Sequence, residues 1–129
     1  MKHLLFIFLF LPLAASAQYQ NLDTVKAPGA YDNIYSRLVA SDSLSSSFVI
    51  YVKKEVKKHT HSEHTENVYI LEGEGEMLLG GKTFNVKKGD MLFIPMGTPH
   101  ALKVTSSKPV KVLSIQSPKF DGKDRIFIE

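Results

Sequence analysis

Histidines occupy two places in the body of the sequence: His59, His61 and His64 in one short stretch, and His100 much later. On a strand, residues two apart point to the same side, so His59 and His61 project together; on a helix they would diverge by about 200°. Glu66 follows after a short bend through Ser62 to Thr65 and offers a hard carboxylate oxygen. His100 arrives from a distant turn. Three imidazole nitrogens and one carboxylate suit one divalent transition metal ion (Mn, Fe, Co, Ni, Cu or Zn). They leave positions for water or a ligand if the ion is five- or six-coordinate. The competing reading is a surface histidine cluster with an unrelated turn histidine. His64, in the bend, is read as a solvent-facing or outer neighbour of the site, not as a ligand.

These side chains need β-structure to position them, and the chain offers it. Eight short β-type runs are expected: Ile34 to Val39, Phe48 to Val52, Val68 to Leu71, Glu76 to Leu79, Thr83 to Val86, Met91 to Ile94, Ala101 to Thr105 and Val110 to Ile115. A serine-rich turn, Ser41 to Ser47, separates the first two. Gly80-Gly81 and Lys88-Gly89-Asp90 read as tight turns, because glycine tolerates the positive φ they require. Helical spacing is nowhere sustained, so the fold class is all-β, a sandwich or barrel. Strand parity puts Val68 and Ile70 beside Glu66, and Leu102 and Val104 beside His100, which predicts a pocket walled by aliphatic side chains. Such a cavity with one metal fits a small organic ligand. Residues 18–31 read as a lead-in arm without periodic structure. Arg125 to Glu129 form a possible final edge segment.

The spacing His59-x-His61-x4-Glu66-x6-Gly73 resembles the first cupin motif, and Gly89-x5-Pro95-x-Gly97-x2-His100 resembles the second. The resemblance runs from about Phe48 to Ser117 and includes Tyr69-Ile70-Leu71-Glu72-Gly73. With 15 residues between Gly73 and Gly89, it is similar to compact single-domain bacterial members. Where the family's second motif often carries asparagine, this chain has Val104. The resemblance implies a jelly-roll β-barrel with a metal in its mouth on His59, His61, Glu66 and His100. It admits dioxygenases, decarboxylases, isomerases and non-catalytic binding modules, with oxidoreductase chemistry slightly favoured, and a homodimer formed through a sheet edge. Fold alone fixes none of these. Gly73, Gly89, Gly97 and Pro95 read as backbone devices.

Lys2 and His3 precede an apolar run from Leu4 to Leu13 that ends in Ala14-Ala15-Ser16-Ala17. That is the pattern of a secretory signal peptide, and it is shorter than the roughly 20 residues a membrane-spanning helix needs. Cleavage before Gln18 is expected, giving a secreted or periplasmic chain of 112 residues that is not membrane-bound. It divides into an arm and first strand (18–47), a cupin core (48–117) and a tail (118–129). The 16 basic and 13 acidic residues are interspersed, which gives no electrostatic case for nucleic acid. The chain has no cysteine. Barrel closure, a metal or a dimer interface must therefore supply the stability that small exported domains often draw from disulfides.

Overall fold

The computed structural model describes residues 17–129; the leader expected over residues 1–17 lies, but for Ala17, outside them. Ten strands follow one 3-10 turn at Leu22–Thr24: β1 (Ile34–Ser41), β2 (Ser46–Val52), β3 (Glu55–Thr60), β4 (Thr65–Glu72), β5 (Glu74–Leu79), β6 (Lys82–Lys87), β7 (Met91–Ile94), β8 (His100–Val104), β9 (Val110–Ser117) and β10 (Ile126–Phe127). They make two five-stranded antiparallel sheets in the orders β1-β2-β9-β4-β7 and β10-β3-β8-β5-β6. This is the expected all-β jelly roll. Among the described residues no helix is long and apolar enough to cross a membrane.

All eight expected runs are strands, and two further strands bear on the site. β3 reads Glu55-Val56-Lys57-Lys58-His59-Thr60, too charged to announce itself by alternation. Its pairing with β8 and β10 makes it a strand, with a bulge between Val56 and His59. Asn33 fixes its entry: the side-chain amide donates to the Glu55 carbonyl at 2.7 Å, while its oxygen accepts from the backbone N–H groups of Lys54 and Glu55. The serine turn is shorter than expected, since Ser41 pairs with Ser46 and Ala40 with Ser47 inside the first hairpin.

The core lies between the sheets, where Val52, Ile70, Met77, Ile94, Leu102 and Val112 meet. The lead-in arm is clasped rather than loose. Val25 is fully buried, its carbonyl accepts from the Tyr51 hydroxyl, and the Leu22 carbonyl accepts from the buried Lys111 ammonium. Tyr51 and Lys111 are cross-strand partners on β2 and β9, so one pair of side chains pins the arm to the sheet.

Two turns need glycine for stated reasons. Gly80 and Gly81, at φ +56° and +86°, close the two-residue β5–β6 hairpin, whose twist requires positive φ at both positions. Gly73, at φ +80°, joins β4 to β5 so tightly that a Cβ there would lie 2.7 Å from the Pro109 carbonyl oxygen. Gly73→Ala should therefore destabilise the domain by about 2 kcal/mol, a fall in Tm of roughly 10 °C in a thermal melt. An unchanged Tm would show that this junction relaxes freely.

Candidate metal centre

His59 is the second-last residue of β3, His61 lies just beyond that strand, Glu66 is the second residue of β4, and His100 opens β8. The two sheets bring all four together, buried, and His59, Glu66 and His100 line one cavity. One potential ligand atom from each of His59, His61 and His100 falls within a cluster 4.8 Å across. Glu66 Oε2 lies 3.6 Å from His61 Nε2 and 3.4 Å from His100 Nε2.

Hydrogen bonding fixes which nitrogen each ring presents. The Nδ1 atoms of His59 and His100 meet the carbonyls of Lys57 and Thr98 at 2.8 and 3.0 Å, and that of His61 meets the Asp124 carbonyl. A carbonyl only accepts, so each Nδ1 carries the proton and each neutral ring keeps its lone pair on Nε2. Nε2 of His61 and of His100 is buried without any hydrogen-bond partner. Such orphaned acceptors in a polar cluster are what a metal ion satisfies. Donors that share an ion at about 2.0–2.1 Å stand roughly 3–4 Å apart, so small ring rotations close the cluster on one.

The electrostatics agree for His59 and Glu66. Burial, and then the neighbouring His100, push His59 down to about 4, which keeps it neutral at working pH. Burial disfavours a charge on Glu66, but the nearby His100 and His61 rings and the hydrogen bond from Ser114 outweigh it and hold the carboxyl well below its usual range. The same carboxylate, with the Asp124 carbonyl, raises His61 against the opposing effect of burial. Ser114 Oγ and Gln116 Nε2 both donate to Glu66 Oε1, leaving Oε2 turned toward the imidazoles.

His64 is buried, not solvent-facing, and belongs to the shell around the cluster. Its Nδ1 meets Asp124 Oδ2 at 2.6 Å and its Nε2 meets the Lys119 carbonyl at 3.1 Å. Both partners accept, so both ring nitrogens donate and neither has a lone pair for a metal. Its pKa is raised accordingly, the bond to Asp124 outweighing burial. Asp124 also accepts from the Ser62 N–H and hydroxyl and from the Glu63 N–H, so the tail holds the whole bend between His61 and Glu66. Phe120 packs edge-on against the rings of His61 and His64.

The cavity beside the cluster encloses about 110 Å³. Val68, Ile70 and Leu102 wall it as strand parity predicts, joined by Val56, Ile50 and Val52. Val104 does not reach it and packs on the core instead.

Sequence reasoning missed Asp124, Ser114, Gln116 and Arg125, of which the last lines the cavity mouth. The two β9 residues had a readable signal. Val110, Val112, Ser114 and Gln116 share one face, so the inward parity runs from apolar to polar as β9 approaches the site. Asp124 and Arg125 lie in an aperiodic tail that carries no such signal.

The cupin domain family model matches residues 47–116. This chain belongs to the cupin family. It is similar to an uncharacterised protein of Aquifex aeolicus, 39% identical over 84 residues that span 65% of this cupin and 69% of that protein. It is also similar to the quercetin 2,3-dioxygenase of Bacillus subtilis, 34% identical over 85 residues, 60% of this chain but only 25% of that enzyme. KdgF from Halomonas sp. shares the fold, with a TM-score of 0.72 at 18% identity over 82% of this cupin and 97% of KdgF.

If Asp124 positions the ligand-bearing bend, Asp124→Ala should weaken zinc binding by about 10- to 100-fold, measured by competition with a chromogenic chelator. The Asp124 carbonyl survives that change, so the loss reports the carboxylate clasp alone. Wild-type affinity in the variant would reduce Asp124 to packing.

Proposed function

We propose that this cupin is an exported protein that holds one divalent transition metal ion on His59, His61, Glu66 and His100. It takes a small oxygen-bearing organic ligand in the cavity beside that ion. The observation that carries the reading is the pair of buried, partnerless Nε2 atoms on His61 and His100 beside an anionic Glu66. Apolar walls support an organic ligand body, and the leader pattern supports secretion or a periplasmic location.

When bound, the ion supplies Lewis acidity toward a ligand oxygen and, if it is iron, manganese or copper, a redox couple. The chain's own residues orient the ligand against the aliphatic walls and exclude water from its buried end. Among the described residues, no imidazole or carboxylate lines the cavity beyond those assigned to the metal. Chemistry that needs a separate protein base, as many isomerisations do, is thus poorly served. Oxidoreductase chemistry of the dioxygenase kind is favoured, and the likeness to a quercetin 2,3-dioxygenase supports it. The same lack of a base favours a second reading, a binding module without turnover. A homodimer fits either one, since Met91 and Phe93 are exposed on the β7 sheet edge.

Protein recovered from the exported fraction should begin at Gln18 by mass spectrometry and carry about one metal per chain by elemental analysis. His59→Ala or His100→Ala should weaken metal binding by more than about 100-fold, beyond the effect of losing an outer partner. Full metal content in both variants would place the ion elsewhere. Oxygen uptake by the iron, manganese or copper form with a flavonoid or enediol panel supports turnover. Metal-dependent ligand binding without uptake supports the module.

A further inference from the structure

Arg125 stands between the Asp124 clasp and β10, and it lines the same cavity as His59, Glu66 and His100. Yet no ion pair joins it to a carboxylate among the described residues. The nearby carboxylates are already committed, Asp124 to His64, Ser62 and Glu63, and Glu66 to Ser114, Gln116 and the imidazoles.

The backbone on both sides of this arginine is held. Asp124 is fastened to the ligand bend, and Ile126 and Phe127 pair with Thr60 and His59. The guanidinium this backbone carries is a planar fork that matches a carboxylate in two parallel hydrogen bonds. The other lining residues are largely aliphatic, among them Ile34, Val56 and Val68. With a divalent ion and Glu66 in place, Arg125 brings the local charge to about +2, which favours an anion and repels a cation. The 110 Å³ of space is of the same order as an engineered apolar cavity of about 150 Å³ that takes benzene, enough for a body of a few carbons.

We propose that Arg125 is the anion-recognising residue of this cavity and that its ligand is a small organic carboxylate with an aliphatic body. The carboxylate pairs with the guanidinium at the mouth, and the hydrocarbon lies on the walls. This rests on the reading of the cavity as the ligand site and narrows that ligand to an anion.

Isovalerate and its uncharged isostere isovaleramide, titrated into the 15N-labelled exported chain and followed by amide shifts, provide the test. It is run on chelator-treated and zinc-loaded protein. In the chelator-treated protein isovalerate should bind about tenfold more tightly than isovaleramide, as a charge-assisted pair implies. Arg125→Gln should remove that preference while leaving isovaleramide unchanged, and Arg125→Lys should keep part of it. Equal binding of the two ligands by the wild type, or a full preference retained in Arg125→Gln, overturns the proposal. A preference that depends on Arg125 but is indifferent to zinc for both ligands upholds it, and counts instead against a ligand held by the metal.

Discussion

A neutral imidazole has a single N–H, and in His59, His61 and His100 that N–H is committed to the carbonyls of Lys57, Asp124 and Thr98. The commitment fixes the tautomer, turns each Nε2 inward, and fixes the ring plane in the same step. The three carbonyls come from different parts of the chain. Lys57 lies on β3 itself, Asp124 in the C-terminal tail and Thr98 in the turn before β8. The cluster therefore exists only when strand pairing, tail docking and turn geometry are all in place. The turn is in its own way tied to the cluster, because the Gly97 N–H donates to the His61 carbonyl at 2.6 Å.

Asp124 illustrates how one carboxylate can organise a site from outside its histidine cluster. Its side chain gathers two backbone N–H groups, a hydroxyl and an imidazolium, while its carbonyl holds His61. Burial opposes its charge, but these bonds from His64, Ser62 and Glu63 more than offset that, and its pKa falls well below the usual carboxylate range. A buried pair such as His64 and Asp124 is weak evidence for stability by itself. Its geometric effect is clearer, since it closes the bend that sets the separation of His61 from Glu66.

The histidine cluster and the barrel class were legible because both depend on short-range regularities. His59 and His61 obey the two-residue period of extended chain, Gly80-Gly81 announces a hairpin, and Val68 and Ile70 follow Glu66 by parity. Each is a statement about neighbours in sequence. β3 was not legible, because its lysines conceal the alternation and partners on β8 and β10 define it. The tail escaped for a related reason: the bonds of Asp124 cross about sixty positions to Ser62 and His64, and nothing in an aperiodic segment encodes such a reach. The arm was likewise read only as an aperiodic lead-in, and nothing in it announced that Lys111 and Tyr51 reach back to pin it.

The same geometry couples the site to the stability of the fold. Two buried Nε2 atoms have no partner within the protein, and each such group costs about 1–3 kcal/mol relative to a satisfied one. Glu66 adds a buried anion flanked by the imidazoles of His61 and His100. A divalent cation held there, as proposed, would relieve both penalties together. It would bind the folded arrangement far better than an unfolded chain, in which Glu66 and His100 are distant, so its binding free energy would add to folding. In a cysteine-free domain of this size, with a core of a few aliphatic side chains between two sheets, that linkage gives the cluster a structural consequence whether or not it also turns over a substrate.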